Sequence, residues 1–190
     1  MNEQAAAPEP ATIKTWWRYV NWWLLLIGPA AVGASIVLSV VYDGFMRLQS
    51  DLEVPAPYLP AAAAVIYAVG FARARNPLLG LLAALAVAFS IREFHFDWAG
   101  KGIYVMLVAW GVWAVGWRRR LAGPLTDWRH TSWLLATMAA YVLSQVIARR
   151  AFRFVPGEDV IHRPLEECAE TAAHLMLIVT SLLGSLRRKT

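Results

Sequence analysis

Charge and cysteine are both scarce in this chain. Only 16% of its 190 residues are charged and one is cysteine, while 58% are hydrophobic and the mean hydropathy is +0.46. A soluble domain of this size carries about 25% charged and 45–50% apolar residues. The shortage of charge excludes a disordered chain, a fibrous repeat and most soluble enzymes. A single cysteine, Cys168, excludes a disulfide framework and any multi-Cys zinc or iron–sulfur site. Neither a glycine-rich phosphate loop nor a nucleic-acid-binding module is found, so no nucleic-acid partner is expected. The net charge of +5 and pI near 9.7 then fit basic loops that hold a membrane topology.

What the chain has instead is long apolar runs. A helix needs about 20 mostly apolar residues to cross a hydrocarbon layer of roughly 30 Å. Six segments are candidates: Trp22 to Val41, Val54 to Ala72, Pro77 to Ile91, Gly102 to Trp117, Thr131 to Ala148 and Ala169 to Leu186. Arginines close most of them: Arg73 and Arg75, Arg118 to Arg120, Arg149 and Arg150, and the run Arg187-Arg188-Lys189. Pro77 suits the first turn of the third helix. The expectation is an all-α, polytopic transmembrane bundle of six spans over residues 14–190. The second and third runs are barely long enough, and the alternative is four spans plus a re-entrant hairpin at 54–91. Such a hairpin is tolerated only where surrounding protein satisfies its backbone groups.

The charges are sorted by sign. With the N-terminus inside, 11 of the 18 Lys and Arg fall on the cytoplasmic side, against only three of the 13 acids, Glu3, Glu9 and Asp127. The positive-inside rule therefore puts both termini in the cytoplasm. Residues 1–13, rich in Ala, Pro and Glu, read as a disordered cytoplasmic tail; no apolar core and cleavage site follow a basic start, as a signal peptide would require. Eight of the ten Trp residues lie near span ends, where amphipathic rings prefer the headgroup layer. Membrane lipids are the expected partners, with other membrane proteins as further candidates.

Polar groups at membrane depth carry the functional signal, because burying them costs several kcal/mol (about 2–7) unless they are partnered. Under this topology Arg92, Glu93, His95 and Asp97 end the third span, and His162, Glu166, Glu167, Glu170 and His174 lead into the sixth. At 100° per residue Glu166, Glu170 and His174 share one helix face, with Glu167 in the same arc. Glu93 and Asp97 form a second i, i+4 pair if the third helix continues that far.

Three readings of this outer cluster compete. It pairs helices or serves a partner, with Arg92, Arg149 or Arg150 neutralising the acids. It binds a divalent metal ion through His95, Asp97, Glu166, Glu170 and His174, with Glu93 or Glu167 as general base for attack by metal-bound hydroxide on a lipid ester or amide. Or it handles protons or ions along a carboxylate–His chain. The spacing differs from the Glu-x-x-His of carboxylate-bridged di-iron bundles, since Glu170 and His174 are four apart. Whether the protein is an enzyme is left open by these residues. Cys168, set among Glu166, Glu167 and Glu170, reads as a packing residue.

Two resemblances bear on these motifs. In outline the cluster is similar to that of the metal-dependent membrane hydrolases of the alkaline ceramidase superfamily, although His174 stands alone where that superfamily carries a His-x-x-x-His pair. More closely, Ile91-Arg92-Glu93-Phe94-His95-Phe96-Asp97 and Pro164-Leu165-Glu166-Glu167-Cys168-Ala169-Glu170 resemble the paired Arg-Glu-aromatic-x-x-x-Asp and Glu-Glu-x-x-Glu segments of a family of small polytopic bacterial membrane proteins with no assigned activity. That resemblance covers about the last 115 residues. It implies a bacterial inner-membrane location and a pairing of the third and sixth helices.

Overall fold

A computed structural model describes residues 19–41, 50–94, 99–154 and 158–186. Among the described residues there are seven α-helices and no strand: α1 (Ile27–Val41), α2 (Tyr58–Ala74), α3 (Pro77–Glu93), α4 (Ala99–Gly116), α5 (Arg118–Leu125), α6 (Trp128–Ala148) and α7 (Glu158–Ser185). A 3-10 turn, Trp22–Leu26, leads into α1. Residues 1–13, His95 and Asp97, which the sequence reading assigned to the tail and the metal set, lie outside the described residues.

Local chemistry sets the helix ends. The α2 helix stops at Arg75, whose left-handed backbone (φ 52°) lets its N–H donate to the Phe71 carbonyl at 2.8 Å. Asn76 then caps α3 by accepting from the Leu78 N–H at 3.0 Å, and Pro77 takes the first helical position where no donor is needed. Asp127 caps α6 through the His130 N–H, and Thr131 Oγ1 donates back to the Leu125 carbonyl at 2.8 Å.

Three helical stretches are long and apolar enough to cross a membrane: Ser50–Ala74, Trp128–Ala148 and Ile161–Ser185. At 1.5 Å per residue the last two measure roughly 31 and 37 Å, while in the first a turn over residues 54–57 precedes the regular helix α2. By the same measure the 17 residues of α3 reach roughly 25 Å, and shorter apolar helices cover Trp22–Val37 and Val105–Gly116. One boundary differs from the sequence expectation. The run Arg118-Arg119-Arg120 opens a short helix, α5, as well as closing the apolar stretch before it. The α3 helix ends at Glu93, two residues past the expected Ile91, with Phe94 turning out of the helix (φ −74°, ψ 1°).

The last helix is the hub. It packs against α6, α2 and α1, while α2 pairs with its neighbour α3. The core between them is made of Ala63, Ala64 and Tyr67 of α2, Leu79, Leu82, Ala86 and Phe89 of α3, Ala136, Ala140 and Tyr141 of α6, and Ala173, Met176 and Leu177 of α7. Its many alanines let helix backbones approach closely, which is how helices associate when lipid is as apolar as the core. The α4 helix stands at the rim, against α3 and α5. Val105, Val108, Val112 and Val115 form an exposed row along it, a face suited to lipid.

Candidate functional site

The polar groups converge where the C-terminal ends of α3 and α6 meet the N-terminal half of α7. On α3, Arg92 and Glu93 are adjacent and so diverge by about 100° around the helix. Arg92 donates from Nη1 to Glu170 Oε1 at 2.7 Å and from Nη2 to Oε2 at 3.4 Å, a two-pronged ion pair to α7. The Glu170 side chain is only 6% exposed and that of Arg92 27%. With the Gln145 amide turned so that its oxygen faces the guanidinium, it accepts from Arg92 at 3.2 and 3.3 Å. One arginine thus ties α3 to both α6 and α7.

Glu93 turns toward His174 instead. The His174 ring is fully buried. Its Nδ1 lies 2.6 Å from the Tyr141 hydroxyl, and its Nε2 lies 3.8 Å from Glu93 Oε1. That second distance is too long for a hydrogen bond, and Nε2 has no hydrogen-bond partner among the described residues. Tyr141 is itself wedged, with Phe89 stacked on its ring at 4.3 Å and the imidazole edge-on at 5.5 Å. Further into the bundle, Thr137 of α6 and Thr180 of α7 share a buried hydroxyl contact at 3.0 Å. Going up α6 through Thr137 and Tyr141, the partners on α7 run down through Thr180 and His174, so the two helices are antiparallel.

The expected helix face is present in part. Glu170 and His174, one turn apart, are both buried and both point into the cluster, while Glu166 and Glu167 are half-buried. One ligand atom from each of Glu93, Glu170 and His174 falls within 4.8 Å of the others. These three are the described residues that geometry brings together as metal donors. Tyr141 and Gln145 were missed in the sequence. The signal was available: Thr137, Tyr141 and Gln145 follow at four-residue spacing, a polar stripe along an otherwise apolar helix.

The opposite end of the bundle is joined differently. There Gly70 of α2 meets Ser185 of α7 so closely that an added Cβ would strike the serine hydroxyl, and Ser185 Oγ donates to the Ile66 carbonyl at 3.0 Å. Gly184 leaves room for His130 and Leu79, whose side-chain atoms would lie 2.8 and 3.0 Å from a Cβ placed on it. Beside this end, α3 and α4 flank an apolar cleft lined by Phe71, Gly80, Leu81, Trp110, Trp113 and Trp117.

No family model matches the chain, and no curated protein or solved structure was found to be similar to it.

Proposed function

We propose that the protein is a multi-pass component of a bacterial inner membrane, in which the Arg92–Glu170 and Tyr141–His174 cluster clamps α3, α6 and α7 together near the outer leaflet. The observation that carries this reading is the two-pronged pair between Arg92 and Glu170. A carboxylate held by a guanidinium at this burial serves helix pairing first, because removing one partner strands the other charge in a poorly hydrated site. Six crossings are proposed, by α1 with its leading turn, α2, α3, α4, α6 and α7, with α5 at the cytoplasmic surface and both termini inside. The excess of basic residues on that side supports the orientation.

A double-mutant cycle tests the clamp. In detergent, Arg92→Met and Glu170→Gln should each destabilise the protein, by up to about 3 kcal/mol, and the double variant should lose clearly less than their sum. Strict additivity would remove the clamp. Topology is read separately in a Cys168→Ala background, with single cysteines at positions 75 and 150 and a membrane-impermeant thiol reagent. Position 75 should label only from the cytoplasmic side and position 150 only from the other. Protection of position 75 from both sides would favour the re-entrant hairpin instead.

A further inference from the structure

Among the buried polar atoms left unbonded in the described residues is one inside the clamp, the Nε2 of His174. It sits on a fully buried ring, lacks a hydrogen-bond partner among the described residues, and is aimed at Glu93. We propose that Glu93, Glu170 and His174 hold a divalent cation of the zinc and manganese class. The proposal rests on the cluster reading above and adds a ligand to it.

Convergence is the first support. The three donor atoms lie within 4.8 Å of one another, and the His174–Glu93 pair is already at 3.8 Å. Donors about 2.0–2.2 Å from a tetrahedral ion stand roughly 3.3–3.6 Å apart, so small side-chain rotations close the set. The second support is the far side of the ring. A histidine that offers Nε2 to a metal carries its proton on Nδ1 and donates it to an oxygen, which fixes the tautomer and the ring plane. The Tyr141 hydroxyl provides that oxygen at 2.6 Å.

Charge is compatible with this. Around Glu93 the carboxyl groups of Glu166, Glu167 and Glu170 outnumber the Arg92 guanidinium, so a cation would be attracted there. Arg92 does not bar the site, because a carboxylate has about four lone-pair positions and can accept from a guanidinium while also facing a cation. The donor set selects the ion. Imidazole with two carboxylates suits first-row transition ions, whereas calcium takes six to eight oxygens and magnesium keeps most of its water.

The test uses the full chain in lipid nanodiscs, stripped with EDTA and titrated with zinc chloride, read by elemental analysis and by thermal unfolding. Wild type should take up one zinc per chain and unfold at a higher temperature when loaded. His174→Gln should weaken binding at least a hundredfold, and Tyr141→Phe by about ten- to a hundredfold through loss of the oriented ring. Failure of wild type to retain zinc, or equal binding by His174→Gln, overturns the site. If His174→Gln does not fold, X-ray absorption at the zinc edge of loaded wild type decides: imidazole scattering with oxygen neighbours supports the site, and its absence overturns it. The Arg92–Glu170 cycle is measured in EDTA, so failure of the clamp and failure of the metal site are read apart.

Discussion

The two ends of the bundle hold the same helix, α7, by opposite means. At one end Arg92, Glu170, Tyr141 and His174 join it to α3 and α6 through charge and hydrogen bonds. At the other, Gly70 and Gly184 let α2, α6 and Ser185 approach until nothing larger fits. In hydrocarbon there is little hydrophobic drive between helices, so close packing and polar contacts are the two available ways to associate them. Their sensitivities differ. The packed end responds to volume and tolerates no added atom, whereas the polar end responds to the loss of a partner and tolerates changes of shape better.

This contrast can be broken in graded steps. The largest effect is expected for Gly70→Leu, where Cβ alone would strike Ser185 and the remaining atoms have no space; overpacking of this kind costs up to about 3 kcal/mol, seen as a marked fall in unfolding temperature in detergent. Gly184→Ala adds one methyl against His130 and Leu79, and about 1–2 kcal/mol is expected from the same measurement. Full wild-type stability in both variants would show that the packed end is not tight. At the polar end, Tyr141→Phe keeps the ring wedged between Phe89 and His174 but removes the hydroxyl, so a loss of about 1 kcal/mol is expected, smaller than for either glycine change. The smallest effect should be a gain. Arg75→Gly relieves a left-handed non-glycine residue at the end of α2, worth about 0.5–1 kcal/mol, and a lower unfolding temperature would contradict it.

Part of this organisation was legible in the amino acids. Long apolar runs closed by arginine marked the helices, and the four-residue spacing of Glu166, Glu170 and His174 marked one polar face, because both signals are local. Pro77 likewise announced the start of α3. What the residues did not declare was which faces meet. Arg92 was one of three arginines able to neutralise the acids, and only the packing of α3 beside α7 selects it. Tyr141 and Gln145 matter through partners about 30 and 50 residues away along the chain, a distance that no helical period encodes.

The hub position of α7 has a consequence for synthesis. Every helix it holds precedes it in chain order, so the ribosome releases them before their common partner exists. The α2–α3 hairpin can form early, since its members are neighbours. Tyr67, Tyr141, Arg92 and Glu93, however, must wait in the membrane with their inner faces uncovered until α7 is inserted. Assembly therefore finishes only with the insertion of α7, and chains interrupted before it would leave these polar groups uncovered and open to proteolysis.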